Sequence, residues 1–542
     1  MVDLREGLVY PPGWADKWID AGIWTDERPH QWIAKWAAET PDAVAMIGVD
    51  HQVTYREFHE RVLSVANGLL AAGFHKGDTI GLQLPNVPEM LISWHAIQSI
   101  GAAPIMLHMP YRAGELTPLM NHGEAKGVIC WAGTPAYDAP GVMLGLKEST
   151  VPSLETIIVA GGAAATGTIA FADLEAAEPA PIADPPSADD PCVLAFTSGT
   201  SAQPKGIVHA FRTIAASHRY LSADCGIRQD DRVLSAPPFT HIYGMCVAGI
   251  TLHVGGAVVL MEIFSPPAFA KAITKCKTTV MFCAPAHFMG ALHSGTLTPD
   301  VTGYLRTAVL AGAACPPEVF SLVEEIFPNV TGYQMFGMTE IVMSFINPLD
   351  APREIRMTSI GTPPVGHELR VSDQEGNILG PDEEGELEVR GAFMFAGYFH
   401  NDQANRETLR EGHWFRTGDL ATIDRDGNVY MTGRVKDIIN RGGIKINPID
   451  IEALVDEHPD VHFSAIVPMP DKILGEKACI FVQLKPGATM TLDQLCTYLG
   501  DNGVAKMKWP ERLETIEAMP MTPTRKIVKG ELVKKLRRRL DF

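Results

Sequence analysis

Short apolar runs that suit β-strands alternate with helical patterns through most of the first ~400 residues of this chain. Residues 55–73 carry apolar side chains near helical spacing, and residues 78–84 have the composition of a buried strand. Asn86-Val87-Pro88-Glu89 then opens another helix, with a proline in its first turn. Because this kind of alternation favours parallel pairing, it predicts an α/β fold whose sheets are covered by helices.

The length of 542 residues exceeds one ordinary core, so we expect several domains. From about Gly361 the sequence changes to short strand-like runs with turn signals such as Asp424-Arg425-Asp426-Gly427-Asn428, which predicts a small β-rich subdomain. A last boundary is predicted near Lys436. It would divide the chain into residues 1–435 and 436–542, and the second segment is long enough to fold on its own.

The charge balance limits the partners of this protein. A formal charge of −19 argues against non-specific nucleic-acid binding and against a basic membrane-binding surface. Residues 526–540 are rich in Lys and Arg, and on an acidic protein we interpret them as a solvated helix face. The sequence leaves a homodimer open.

One apolar segment has the length of a membrane span. Residues 242–261 contain no charged side chain. The pair Gly255-Gly256 interrupts them, which predicts a buried helix, a turn and a buried strand at residues 257–260. The first six residues lack the apolar core of a signal peptide, and nine cysteines without a C-x-x-C pair suit a reducing compartment. We therefore expect a cytoplasmic protein without a membrane span.

The segment Thr197-Ser198-Gly199-Thr200-Ser201-Ala202-Gln203-Pro204-Lys205-Gly206 directly follows an apolar strand-like run. Its hydroxyls, small residues and single lysine suit polyphosphate, because oriented backbone amides bind anions and the ammonium adds a point charge. The P-loop pattern is not met, since Gly206 and Ile207 follow Lys205. Alone, such a loop is more often a surface turn.

Four further clusters follow this loop. They are Tyr333-Gln334-Met335-Phe336-Gly337-Met338-Thr339-Glu340, Arg416-Thr417-Gly418-Asp419-Leu420, the run from Gly433-Arg434-Val435-Lys436 to Glu452, and Met519-Pro520-Met521-Thr522-Pro523-Thr524-Arg525-Lys526. In this order and at these separations, they resemble the adenylate-forming superfamily of acyl-CoA synthetases, non-ribosomal-peptide adenylation domains and luciferases. The resemblance runs from about residue 25 to the end of the sequence.

The resemblance implies both an architecture and a reaction. The large domain would hold two stacked α/β subdomains and the β-rich, barrel-like subdomain, followed by a smaller, mobile α+β domain. A carboxylic acid would displace pyrophosphate from MgATP to form an acyl-adenylate, and a thiol would then displace AMP. ATP, Mg²⁺ and coenzyme A are the implied cofactor and co-substrates.

The resemblance also implies a nucleotide site. Its phosphate loop would be residues Thr197, Ser198, Gly199, Thr200, Ser201 and Lys205. Its adenine region would comprise Gly312, Ala313, Ala314, Phe336, Gly337 and Met338, with Phe336 stacked on the base.

Five residues would carry the chemistry of adenylation. Thr339 would hydrogen-bond the α-phosphate, and Glu340 would reach Mg²⁺ through a hard carboxylate oxygen. Asp419 would accept from both ribose hydroxyls, with Arg434 nearby. Lys526 would bridge the substrate carboxylate and the α-phosphate, and so stabilise charge in the transition state.

A swing of the C-terminal domain is implied between the two half-reactions. Lys436 falls at the hinge position of the family, and Gly442 and Gly443 would then approach the pantetheine tunnel. The chain departs from the family pattern at two points: Ser201-Ala202 stands where Thr-Gly is usual, and Arg525 stands where Gly is usual. Neither departure removes a reacting group.

The acid-binding pocket would begin at Pro238-Phe239-Thr240-His241-Ile242. His241 resembles a gate near the carboxylate or the acceptor channel, although a histidine satisfied within the core is the competing interpretation. Ile242 stands about where amino-acid-activating relatives use Asp and dihydroxybenzoate activators use Asn, so an uncharged, largely apolar acid is favoured. Medium-chain fatty, alicyclic and simple aromatic acids are the candidates. Further candidate walls of the pocket are Met245, Phe282, Gly312, Met335, Gly337, Met338 and Met343.

Coenzyme A is the favoured acceptor, because the sequence shows neither a carrier domain nor an obvious phosphopantetheine site. The alternatives are a stand-alone ligase that loads a carrier protein, a luciferase-like oxidation, and a nucleotide-binding regulator that has lost catalysis. Intact Glu340, Asp419, Arg434 and Lys526 speak against the regulator.

Overall fold

The computed structural model describes the chain except residues 1, 134–136, 198–203, 299–302, 314, 442–443, 472–473, 523–524 and 540–542, and the side chains of residues 343, 344, 445 and 475. The chain divides into two compact units. The first comprises residues 1–368 and 390–415, and the second comprises residues 369–389 and 416–542. The boundary expected near Lys436 remains a prediction.

The described helices and strands follow in chain order. The α-helices are α1 (Trp14–Asp20), α2 (Pro29–Glu39), α3 (Tyr55–Ala71), α4 (Pro88–Ser99), α5 (Ala113–His122), α6 (Ala139–Ser149), α7 (Phe171–Glu175), α8 (Phe211–Asp224), α9 (Ile242–His253), α10 (Pro266–Lys275), α11 (Pro285–His293), α12 (Pro317–Ile326), α13 (Arg353–Thr358), α14 (Asp402–Thr408), α15 (Pro448–Asp456), α16 (Leu492–Asp501) and α17 (Lys529–Arg539). The strands are β1 (Val44–Ile47), β2 (Gln52–Thr54), β3 (Thr79–Gln83), β4 (Ala103–Met106), β5 (Gly127–Trp131), β6 (Thr156–Ala160), β7 (Ile169–Ala170), β8 (Pro191–Thr197), β9 (Lys205–Ala210), β10 (Arg232–Ser235), β11 (Ala257–Val259), β12 (Val280–Cys283), β13 (Thr307–Leu310), β14 (Thr331–Met338), β15 (Val342–Ile346), β16 (His367–Ser372), β17 (Gly385–Gly391), β18 (Tyr398–Phe399), β19 (Leu409–Arg410), β20 (Trp414–Ile423), β21 (Val429–Arg434), β22 (Ile439–Arg441), β23 (Ile444–Ile446), β24 (Val461–Asp471), β25 (Gly475–Leu484) and β26 (Arg512–Thr515).

The first unit contains two eight-stranded sheets. The first sheet has the order β15-β14-β13-β12-β10-β11-β1-β2, and its six central strands are parallel. The second sheet has the order β18-β9-β8-β4-β3-β5-β6-β7, in which β9 and β18 are antiparallel to their neighbours. The α/β fold expected from the sequence is therefore confirmed.

Both sheets are buried on both faces, as parallel sheets usually are. On β10, Val233 joins the core that also holds Leu82 of β3, whereas its neighbour Leu234 packs with Phe269 of α10. The shared core contains apolar residues of α2, α3, α4, α8 and α9, so these helices lie between the two sheets. Helices α10–α12 cover the outer face of the first sheet, and α5 and α6 cover that of the second. The result is five alternating layers of helices and sheets.

The segment at residues 242–261 forms α9 and β11, which confirms the expected helix, turn and strand. Within the described residues, no helix combines the length and the apolar character needed to cross a bilayer.

The β-rich subdomain expected after Gly361 is a five-stranded sheet in the order β16-β17-β20-β19, with β21 beside β20. In the second unit, β23-β22-β25-β24 form another sheet, to which β26 adds beside β25. Helices α15 and α16 pack on one face of this sheet and α17 on the other. This is the smaller α+β part of the chain that the sequence predicts.

A buried carboxylate, paired with a partly exposed arginine, ties together the amino-terminal ends of three strands in the first sheet. Asp231, only 3% exposed, precedes β10 and accepts from the Arg306 guanidinium at 2.5 Å. It also accepts from the hydroxyl of Thr279 at 2.7 Å. Because Arg306 precedes β13 and Thr279 precedes β12, one carboxylate fixes the start of all three strands.

We expect Arg306→Met to lower the free energy of unfolding by about 3 kcal/mol, because the Asp231 carboxylate stays buried without its cation. Urea unfolding followed by tryptophan fluorescence measures this change. Arg353→Met is the matched control: its half-exposed guanidinium pairs with Glu324, and its loss should cost less than about 1 kcal/mol. Equal losses in the two variants would contradict the assigned role of Asp231.

The helical layer between the sheets contains histidines that are buried in the neutral form. Burial, followed by neighbouring imidazoles, lowers the pKa of His95 and of His218 to about 3. The unfolded chain binds protons from about pH 6.5 downwards while the native chain does not, so stability is lost as the pH falls below about 6.5.

Each of these histidines should therefore cost about 2 kcal/mol of stability at pH 5 relative to pH 7.5. We expect His95→Gln to flatten the dependence of the unfolding free energy on pH over this interval. The exposed His51, changed to Gln, should leave the dependence as it is. Parallel pH curves for wild type and His95→Gln would rule out a buried neutral imidazole at position 95.

Candidate active site

Several predicted site residues lie just beyond the carboxyl ends of the parallel strands of the first sheet. Gly312 follows β13, and Thr339 and Glu340 follow β14. Gly312 has a φ of +84°, a left-handed conformation that favours glycine. In open α/β sheets, this edge is where ligands bind.

Glu340 is almost completely buried, with 4% of its surface exposed. Its backbone carbonyl accepts from the Phe395 amide at 2.7 Å. Its side-chain Oε1 accepts from the hydroxyl of Tyr398, also at 2.7 Å. Burial raises the pKa of Tyr398, and the negative charge of Glu340 raises it further. The phenol therefore stays protonated and donates a hydrogen bond to the carboxylate.

Lys205 opens β9 directly opposite Thr197, the last residue of β8. Its ammonium lies 4.9 Å from the centroid of the Tyr398 ring. Tyr398 therefore contacts a predicted phosphate-binding lysine through its ring face and a predicted metal-binding carboxylate through its hydroxyl. The predicted loop residues Ser198, Gly199, Thr200 and Ser201 lie outside the described residues.

His209 of β9 fixes the turn at Thr339. Its Nε2 lies 2.7 Å from the Thr339 carbonyl, which can only accept, so Nε2 carries the proton. Burial lowers the pKa of His209 to about 4, which keeps the ring neutral near pH 7. Both Lys205 and His209 belong to the second sheet, whereas the Thr339–Glu340 turn belongs to the first.

Phe336 is partly exposed near the end of β14, and its ring meets that of Phe345 edge-on, with centroids 5.7 Å apart. Gly337 and Met338 are also only partly buried, and Ala313 is exposed. Ala314 lies outside the described residues.

His241 is the N-cap of α9. Its Nδ1 accepts from the Tyr243 amide at 3.1 Å, so the proton of the neutral ring lies on Nε2. The ring stacks on His108, with centroids 5.8 Å apart. Ile242 and Met245 are buried within the core between the sheets, and the side chain of Met343 is outside the description.

Asp419 and Arg434 face each other on β20 and β21 of the second unit. The Arg434 Nε lies 2.5 Å from Oδ1 of Asp419. The second oxygen, Oδ2, is buried and has no hydrogen-bond partner among the residues that the structure describes. A buried acceptor without a donor is costly, so this oxygen fits a ligand that brings hydroxyl groups.

Lys526 lies within electrostatic reach of the same pair. Although the residue is exposed at the surface, the protein crowded around its ammonium lowers the pKa to about 8, and Arg434 and Lys436 lower it as well, whereas Asp419 opposes the shift. The preceding residue, Arg525, has a φ of +62°, which explains why glycine is usual there.

The second unit also contains the predicted hinge and tunnel residues. Lys436 lies in a short 3-10 helix at Val435–Asp437. Gly442 and Gly443 lie outside the described residues. The hinge and the tunnel remain predictions.

Sequence reasoning missed three residues that shape the site: Tyr398, His209 and His108. Tyr398 follows a glycine in a short aromatic segment, and no sequence motif marks it as a site residue. His209 and His108 stand alone in apolar runs. Their roles depend on contacts with residues more than 50 positions away, which no local pattern reveals.

Comparison with known proteins agrees with this geometry. Residues 33–399 match the AMP-binding enzyme family, and residues 450–526 match the AMP-binding enzyme C-terminal domain. A salicylyl-CoA synthase / salicylate adenylyltransferase of Streptomyces sp is 31% identical, over 99% of both chains. The medium-chain fatty-acid–CoA ligase of Escherichia coli K12 is 30% identical, over 96% of this chain and 92% of its own.

Among solved structures, ATP-bound MatB from Rhodopseudomonas palustris superimposes with a TM-score of 0.84 at 26% identity, over 94% of this chain and 99% of that one. The strand order and these matches lead to the same conclusion. The chain belongs to the AMP-binding enzyme family and is an adenylating ligase of the adenylate-forming superfamily.

Proposed function

We propose that this adenylating ligase joins an uncharged, largely apolar carboxylic acid to coenzyme A. The acid and ATP would give an acyl-adenylate and pyrophosphate, and coenzyme A would then release AMP and take the acyl group. The observation that carries the adenylation step is the buried Glu340 carboxylate, which shares Tyr398 with the Lys205 ammonium.

The phosphates of ATP would lie between Lys205 and the Thr339–Glu340 turn. The ammonium supplies a charge for the terminal phosphates, and the Thr339 hydroxyl a hydrogen bond for the α-phosphate. Because His209 and Tyr398 fix this turn, its polar groups would need little rearrangement when ATP binds.

Mg²⁺ fits this site through Glu340. The described residues contain no cluster of three or more His, Cys, Asp or Glu that could hold a metal ion. A single buried carboxylate suits Mg²⁺, which proteins usually bind with one or two carboxylates together with substrate phosphates. When bound, the ion would neutralise charge on the phosphates.

The nucleoside and the reacting carboxylate would meet residues of the second unit. The unpartnered Oδ2 of Asp419 would accept from ribose hydroxyls, and Arg434 would hold Asp419 in place. Lys526 would donate hydrogen bonds to the acid carboxylate and to the α-phosphate. Its positive charge would stabilise the negative charge that builds up on the five-coordinate α-phosphorus group in the transition state.

The nature of the acid follows from the first turn of α9. Ile242 and Met245 are apolar and cannot pair with an amine or a phenol. His241, protonated on Nε2, would donate a hydrogen bond to the acid carboxylate or to the acyl-adenylate formed from it.

ATP–pyrophosphate exchange tests the reaction and the acid together. We expect hexanoate, cyclohexanecarboxylate or benzoate to drive exchange at least about 100-fold better than phenylalanine, whose charged amine would be buried without a partner. No exchange with any acid would leave only nucleotide binding and overturn the proposal. If exchange occurs but added coenzyme A yields no thioester while an acyl carrier protein is loaded, the acceptor is wrong and adenylation stands.

Lys526 should control the adenylation step alone. We expect Lys526→Ala to lower the rate of acyl-adenylate formation by about 10³-fold or more, since a charge that stabilises the transition state is lost. Transfer from preformed acyl-adenylate to coenzyme A should change less than about tenfold, because the implied domain swing removes Lys526 before that step. Equal losses in both half-reactions, measured by single-turnover kinetics, would refute the assignment.

The same lysine should set a pH limit. Because the ammonium is the active form and its pKa is lowered to about 8, kcat/KM for ATP should fall as the pH rises through about 8. Lys526→Arg keeps its charge at high pH, so its remaining activity should not show this fall. A fall that persists unchanged in Lys526→Arg must come from another group.

A further inference from the structure

Tyr398 is fixed in place by burial, by strand pairing and by backbone hydrogen bonds. It is 4% exposed and pairs through β18 with Ile207 of β9. Its backbone amide donates to Asn405 Oδ1 at 2.6 Å, and the Asn405 amide donates back to the Tyr398 carbonyl at 2.9 Å. The phenol therefore has a fixed position from which to act on its neighbours.

The Tyr398 side chain contacts two groups of opposite charge, one through its hydroxyl and the other through its ring face. The hydroxyl proton points at Oε1 of Glu340 at 2.7 Å. The ring face, which carries the negative part of the aromatic quadrupole, lies 4.9 Å from the Lys205 ammonium. A leucine in this place would satisfy the packing but neither of the charges.

We propose that Tyr398 is a positioning residue for adenylation that acts on the two charges separately. Its hydroxyl fixes the Glu340 carboxylate through Oε1, so that this group would keep one orientation when a divalent cation binds. Its ring holds the Lys205 ammonium near the phosphate region until ATP binds. The inference rests on the proposed roles of Glu340 and Lys205.

The expected strengths of the two contacts agree with these separate roles of the hydroxyl and the ring. Partners that orient a metal-binding carboxylate typically change metal affinity 10- to 100-fold when removed. A cation over an aromatic ring is held weakly enough for a phosphate to displace it. The strong contact thus fixes the group that should stay, and the weak contact holds the group that should move.

The experiment is calorimetric titration of ATP into Tyr398→Phe and Tyr398→Leu, with and without free Mg²⁺. We expect Tyr398→Phe to bind ATP without Mg²⁺ as wild type does, and to need about tenfold more Mg²⁺ to reach its tighter affinity. Tyr398→Leu should show the same Mg²⁺ defect and, in addition, weaker binding of metal-free ATP. The two variants separate the hydroxyl from the ring.

Tyr430→Phe is the matched control, because Tyr430 also donates to a carboxylate, that of Asp424 at 3.0 Å, in the second unit. It should leave both titrations unchanged. In a Glu340→Gln background, Tyr398→Phe should add no further Mg²⁺ defect, since the two residues act through one contact. If Tyr398→Phe fails to fold, Asn405→Ala loosens the same phenol and should raise the Mg²⁺ requirement in the same direction.

Three outcomes would overturn the proposal. They are an unchanged Mg²⁺ requirement in Tyr398→Phe, an additive defect in the Glu340→Gln background, and equal effects of Tyr398→Phe and Tyr430→Phe. Each of these leaves the ligase assignment standing if wild type binds ATP more tightly with Mg²⁺. If wild type shows no Mg²⁺-dependent ATP binding, it is the roles given to Glu340 under the proposed function that fail.

Discussion

Two hydrogen bonds from the second sheet hold the Thr339–Glu340 turn of the first. His209 donates to the carbonyl of Thr339, and Tyr398 donates to the carboxylate of Glu340. Both donors are buried, so water cannot compete for either acceptor. Because the two donors stand on neighbouring strands, β9 and β18, the position of Glu340 depends on the pairing of the two sheets across their shared helical layer.

The same dependence explains how sheets built from apolar strands support chemistry. Strands such as β10 are apolar on both faces, which leaves only their ends for polar groups. One end carries Asp231, which is fully engaged with Arg306 and Thr279 and serves stability. The other end carries the glycine turns and the buried carboxylate of Glu340. Stability and function therefore occupy opposite ends of the first sheet.

The sequence predicts much of the regular secondary structure of this molecule. Helix α3, strand β3 and the helix–turn–strand at 242–261 follow from apolar spacing and glycine punctuation, because these signals are local. The family resemblance likewise rests on short motifs, and the family matches confirm it. The partners of Glu340 and Thr339 could not be found this way. Tyr398 is 58 residues from Glu340, and its importance arises only from tertiary contacts.

Two features of the second unit lower the stability of the folded chain, and packing alone does not explain why they are present. The buried Oδ2 of Asp419 has no donor among the described residues, a deficit of about 1–3 kcal/mol. Arg525 adopts a left-handed φ that costs a non-glycine residue about 1 kcal/mol or more. Asp419 is itself proposed to meet the nucleotide, and Arg525 directly precedes Lys526, which is proposed to meet it as well. A ligand that supplies hydroxyl donors to Asp419 would recover the first cost on binding. The backbone strain at Arg525 persists in any state that keeps this turn. Glycine at position 525 would adopt the same conformation without that strain.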